Sequence, residues 1–112
     1  MNDLDRYQND ACSTAIYPGR NTIHGIVYCA LKLNGEAGEV AEKVGKALRD
    51  DHSTITPERR EALLLELGDV LWYVANLANE LQFSLRDVAE ANLQKLASRK
   101  ARGTLQGSGD LR

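Results

Sequence analysis

The chain is poor in aromatic residues, with one tryptophan, one phenylalanine and four tyrosines among 112 residues. Single-stranded nucleic acid is held on aromatic stacking platforms, which this composition does not supply. A basic excess is also missing. Fourteen Lys and Arg against sixteen Asp and Glu leave a formal charge of −2, whereas a phosphate-backbone binder needs clustered positive charge. There are only two cysteines, Cys12 and Cys29, in no CxxC pair and with no Cys/His ligand spacing. That excludes a disulfide scaffold and leads us to expect two thiols in a reducing compartment. Residues 1–5 have neither the basic nor the apolar region of a secretory signal, so a cytoplasmic location is expected. The most apolar stretch, 62–81, is broken by Glu66, Asp69, Asn76, Asn79 and Glu80. An acid at the centre of a membrane helix costs about 3 kcal/mol, so no membrane partner is expected. Neither an alternating strand pattern, nor an internal repeat, nor a coiled-coil heptad is visible.

What remains is an ordinary globular balance, 43% apolar and 27% charged, in one domain's length. Residues 1–112 read as a single domain, with about 103–112 as a C-terminal tail. Turn signals divide the chain into four helical segments. The first spans about Asp3 to Ile16 and ends in the turn cluster Tyr17-Pro18-Gly19-Arg20-Asn21. The second runs from Thr22 or Ile23 to Arg49. Thr56-Pro57-Glu58 reads as an N-cap, a proline at the first helical position and an acid at the positive helix end. It opens a third helix reaching about Gln82. Ser84, with Asp87 three residues on, starts a fourth that reaches Lys100 or Arg102 before Gly103. The expected fold is all-α, a short bundle of about four helices. Two long helices in so short a chain point to completion by a second copy, as a homodimer or a dimer of dimers.

The third helix is apolar almost all round, the pattern of a largely buried helix. Yet Glu66, Asp69, Tyr73 and Asn76 form a polar stripe along it, and no Lys, Arg or His lies between Arg60 and Arg86. Carboxylates in such company need a distant base, a proton or a metal. On the second helix, Glu36 and Glu39 are neighbours at i,i+3 spacing. Two such pairs on adjacent helices can converge four hard oxygen donors, Glu36, Glu39, Glu66 and Asp69, on one cation, which suits Mg²⁺ or Mn²⁺ better than zinc. The fourth helix changes sign. Asn92, Lys95 and Arg99 share one face, and a metal cluster opposite such donors is how a polyphosphate is held.

Three runs carry a resemblance: Gly35-Glu36-Ala37-Gly38-Glu39-Val40-Ala41-Glu42-Lys43, Glu66-Leu67-Gly68-Asp69-Val70-Leu71-Trp72-Tyr73, and Asn92-Leu93-Gln94-Lys95-Leu96 with Arg99. Together they resemble the MazG-like family of all-α nucleoside triphosphate pyrophosphohydrolases, marked by E-x-x-E followed by E-x-x-D on the next helix. The likeness covers nearly the whole chain, including the closing Gly107-Ser108-Gly109-Asp110-Leu111-Arg112. It implies hydrolysis of a (deoxy)nucleoside triphosphate to monophosphate and pyrophosphate, with Mg²⁺ on Glu36, Glu39, Glu66 and Asp69. Glu36 and Glu39 are the candidates to orient or deprotonate the water. Asn92, Lys95 and Arg99 would hold phosphate oxygens, with Lys46 a further candidate. Tyr7, Gln8, Trp72 and Asn76 stay open as base contacts. A ferritin-like di-iron bundle would need Glu-x-x-His pairs, and neither His24 nor His52 follows a Glu by three. A non-catalytic helical adaptor is the alternative reading. The tail is expected to fold back near the nucleotide site.

Overall fold

A computed structural model describes residues 2–112. Four helices follow in order: α1 (Asp3–Ser13), α2 (Ile23–Asp50), α3 (Pro57–Glu80) and α4 (Leu85–Arg102). Among the described residues there is no strand, as expected for an all-α chain. Each helix begins on a side-chain cap that satisfies an otherwise orphaned N–H. Asn2 Oδ1 accepts from the Asp5 amide at 2.8 Å, Thr22 Oγ1 from His24 at 3.2 Å, Thr56 Oγ1 from Arg59 at 3.2 Å and Ser84 Oγ from Asp87 at 3.0 Å.

The helix ends are set by local chemistry. α1 stops at Ser13, short of the expected Ile16. The Ser13 and Thr14 hydroxyls donate to the carbonyls of Asp10 and Ala11 at 2.6 and 2.9 Å, and such local bonds compete with continuation of the helix. Pro18 then drives the residue before it away from the helical region. α3 ends at Glu80 in a six-to-one turn, with the Phe83 amide on the Ala78 carbonyl at 2.8 Å and Gln82 left-handed at φ 64°. α4 ends on the same turn, here with Gly103 at φ 70° and the Thr104 amide on the Arg99 carbonyl at 2.8 Å.

α2 and α3 form an antiparallel hairpin, and α1 lies along α3. α4 touches α3 and α1 but makes no contact with α2 among the described residues. Gln8, buried in α1, ties the open end together. Its Nε2 donates to the Ala75 and Phe83 carbonyls at 3.2 and 3.1 Å, and its Oε1 accepts from the first amide of α4, Leu85, at 2.9 Å. The 14–22 turn is pinned by Glu80, which accepts from the Tyr17 hydroxyl at 2.6 Å and the Asn21 amide at 2.8 Å. Gly25 lies so close to Glu80 that a Cβ there would meet its Oε1 at 2.7 Å.

The core is small. One cluster joins Ala11, Ala75 and Leu85, and another joins Ala15, Tyr17 and Cys29. The expectation that α3 is largely buried holds only for its C-terminal half, where Ala75, Asn76 and Ala78 are enclosed. Leu64 and Leu65, in the N-terminal half, are 69% and 72% exposed. The contacts of α1 and α4 with α3 gather at Trp72 and Ala75, in the C-terminal half. The radius of gyration is 16.8 Å, against about 13 Å for a compact chain of ~100 residues.

Candidate metal centre

The hairpin sets the site. Glu36 projects from α2 towards Glu66 and Asp69, which are three residues apart on α3 and therefore on one face. One carboxylate oxygen from each of the three lies within 4.8 Å of the others. Glu36 and Glu66 are half-buried and Asp69 is exposed. Glu39 is exposed and stands outside this group of three. It is still near enough to add to the negative field at Glu36.

Burial, then the Asp69 and Glu66 carboxylates, push the Glu36 carboxyl above the usual glutamate range, and Lys32 only partly offsets them. Like charges held this closely resist ionising together. A divalent cation removes that conflict, and three oxygen donors without sulfur or imidazole fit a hard ion of the Mg²⁺ or Mn²⁺ kind. Glu66 also has a cation that α3 does not supply: Lys43 Nζ lies 3.5 Å from its Oε1. Lys43 was not among the sequence candidates. The signal for it was its spacing of seven from Glu36, two helical turns along the same face of α2.

Beside the carboxylates, Glu36, Asp69, Trp72 and Tyr73 line a depression of about 300 Å³. The Trp72 ring meets Tyr73 edge-on at 4.8 Å and Tyr17 at 6.2 Å, and Tyr17 stacks on Tyr28 at 5.6 Å. Trp72 Nε1 donates to Thr14 Oγ1 at 2.9 Å, which anchors the indole to the end of α1. Of the residues left open as base contacts, Gln8 has its amide committed to the helix junction described above. Asn76 is fully buried, with Nδ2 on the Trp72 carbonyl at 3.0 Å. Tyr7 lies against the core, and burial, then the Asp69 charge, raises its phenol above the usual range.

The expected phosphate donors sit elsewhere. Asn92 and Lys95 line a separate depression on α4 with Phe83, Val88 and Ala91. Arg99 is only 4% exposed. It is covered by the tail, which folds back onto α4, and its Nη2 donates to the Asp110 carbonyl at 2.9 Å. Lys46 pairs with Glu42 on its own helix at 3.1 Å. The structure thus brings Glu36, Glu66 and Asp69 together, while Asn92, Lys95 and Arg99 lie on a helix that does not touch α2. No helix among the described residues is long and apolar enough to cross a membrane.

Residues 28–103 match the family model described as the MazG nucleotide pyrophosphohydrolase domain. The chain is 54% identical to the Gene 37 protein of Mycobacterium phage L5 over 112 residues, covering 97% of this chain and 98% of that protein. It is 35% identical to the uncharacterized protein YvdC of Bacillus subtilis (strain 168) over 72 residues, 60% of this chain and 68% of that protein. Neither name states an activity. No solved structure matches.

Proposed function

The chain belongs to the family of the MazG nucleotide pyrophosphohydrolase domain, and from that premise we propose that it converts (deoxy)nucleoside triphosphates to monophosphates and pyrophosphate with Mg²⁺, as house-cleaning of the nucleotide pool. The observation that carries this reading is the convergence of the Glu36, Glu66 and Asp69 carboxylates on one point between α2 and α3. These three would hold Mg²⁺, with Mn²⁺ as a substitute. When bound, the ion polarises phosphate oxygens and favours ionisation of a coordinated water.

The chain's own residues supply the rest. Glu39, one turn beyond Glu36, would orient the attacking water or complete the ligand set. Lys43 neutralises part of the charge on Glu66 and so holds that side chain in place. Asn92, Lys95 and Arg99 are the donors for the leaving pyrophosphate. The aromatic wall of Trp72 and Tyr73 beside the carboxylates excludes water from one side. The active species in this reading is a homodimer whose second copy covers the exposed leucines of α2 and α3.

The test is a panel of ribo- and deoxyribonucleoside triphosphates with chromatographic product analysis. The expected products are monophosphate and pyrophosphate with Mg²⁺ present, and none in EDTA. Release of diphosphate and inorganic phosphate, or no turnover by Mg²⁺-loaded protein, overturns the reading. Asp69→Asn is expected to lower turnover at least ~100-fold with an unchanged helical circular-dichroism spectrum.

A further inference from the structure

The segment after α4 is wound around a single arginine. Arg112 Nε donates to the Thr104 carbonyl at 3.2 Å, Nη2 to Leu105 at 3.0 Å and Nη1 to Gly109 at 2.7 Å. Gly107 at φ 134° and Gly109 at φ 84° take backbone conformations that a side chain would strain. A Cβ on Gly107 would also meet the Arg112 side chain at 3.0 Å. The loop therefore holds its own shape. It is fastened to α4 by Arg102, which donates to the Arg112 carbonyl at 2.8 Å, and by the Asp110 contacts with Lys95 and Arg99.

Those contacts fall on the residues read above as phosphate donors. Asp110 Oδ1 lies 3.3 Å from Lys95 Nζ and 3.3 Å from Arg99 Nη2. The Arg99 side chain is 5% exposed beneath the loop, and its buried Nε–H has no hydrogen-bond partner. The Asp110 carboxylate is instead 83% exposed, so solvent anions reach it and can exchange for it. The guanidinium is held through Nη2 alone, by the Asp110 carbonyl, the Gly109 carbonyl and one oxygen of an exposed carboxylate, and a phosphate, with more anionic oxygens, would satisfy it better.

We propose that Asp110 is a resident stand-in for phosphate on the Lys95–Arg99 pair, and that a pyrophosphate group displaces it and lifts the 104–112 loop off α4. The proposal rests on the reading of Lys95 and Arg99 as substrate donors. It makes the tail a displaceable plug: a phosphate oxygen reaches Arg99 only when the loop moves. The loop survives the exchange as a unit because Arg112 holds it internally.

The test uses the full ¹⁵N-labelled chain in EDTA, titrated with inorganic pyrophosphate. Calorimetry is run in parallel on the wild type, on Asp110→Asn and on Asp10→Asn as a charge-matched control. We expect the amide resonances of residues 104–112 to shift and to report faster motion of the whole segment as pyrophosphate saturates. We expect Asp110→Asn to bind pyrophosphate about three- to fivefold tighter than the wild type, as removal of one exposed competing ion pair allows, and the control to stay within about twofold. The proposal is overturned if the loop amide resonances and their mobility stay unchanged at saturation, or if Asp110→Asn binds equally or more weakly. Absence of pyrophosphate binding alongside intact nucleotide hydrolysis overturns it too, while sparing the proposed activity. Pyrophosphate-driven release of the loop in a chain that hydrolyses no nucleotide supports it and removes the activity instead.

Discussion

Glu36 is the carboxyl most opposed by its surroundings, since burial and three neighbouring acids, Asp69, Glu66 and Glu39, act on it in the same direction. A carboxyl whose folded-state pKa is raised above its unfolded value favours the folded state when protonated. That contribution is complete below the ordinary glutamate range and is lost as pH climbs through the raised value. Glu42, Asp50 and Asp110, each lowered by a bond to a basic side chain, have the opposite sign and act at lower pH. The Glu36 effect is isolated by difference. In EDTA, the melting temperature of wild type minus that of Glu36→Gln is expected to fall as pH rises from ~4 to ~7, with the variant ~2–4 °C more stable at the upper end. Saturating Mg²⁺ should reverse the order, because ligand binding stabilises only the chain that keeps its carboxylates. A difference that is flat with pH would show that Glu36 is not strained by its neighbours.

At the scale of elements, the junction of α1, α3 and α4 hangs on the Gln8 amide, which meets the Ala75 and Phe83 carbonyls and the Leu85 amide at once. Gln8→Ala is expected to cost ~2–3 kcal/mol and to loosen α4, read as lower urea midpoints and faster amide exchange in 85–90. Gln82 closes α3 at φ 64°, a conformation that costs an L-residue ~1–2 kcal/mol relative to glycine. After the entropy of an added glycine in the unfolded chain is set against this, Gln82→Gly should stabilise by ~0.5 kcal/mol. A destabilised Gln82→Gly variant would mean that the side chain itself holds the turn. Helix starts were readable in advance at Thr56 and Ser84, because a hydroxyl cap is a short-range pattern. The early stop of α1 was not, since the Thr14 hydroxyl that bonds back to the preceding turn also accepts from Trp72 on α3, a partner distant in sequence.

The whole molecule is too open for its length. A radius of gyration of 16.8 Å and rows of exposed leucines on α2 and α3 leave one chain with less core than its sequence provides. Leu31, Leu64, Leu65 and Leu67 are each more than half exposed, a surface that monomers rarely present. In the homodimer of the proposed reading, this face is covered by a symmetric partner. Sedimentation at micromolar concentration should give about twice the 12.4 kDa of one chain. Leu65→Lys is expected to shift it to the monomer and to lower the melting temperature by more than ~10 °C, through loss of the covered surface. A monodisperse wild-type monomer would rule out this assembly.

The sequence by itself determined four helices, the caps at Thr56 and Ser84, the stop at Gly103 and the i,i+3 acidic pairs on two adjacent helices. All of these follow from neighbours within one or two helical turns, where spacing equals geometry. It also carried the family resemblance, since ordered motifs survive in the chain whatever their packing. Which carboxylates converge was decided only in three dimensions. The rotation of α2 against α3 brings Glu36 to Glu66 and Asp69, leaves Glu39 outside their group and gives Glu66 the Lys43 ammonium. The fate of Gln8 as a clamp rather than an open side chain, and of Arg99 as a guanidinium beneath the tail, was likewise tertiary. Each depends on partners 67 to 77 residues away for Gln8 and on a ten-residue return of the chain for Arg99, and contacts across such loops leave no periodic trace in a sequence.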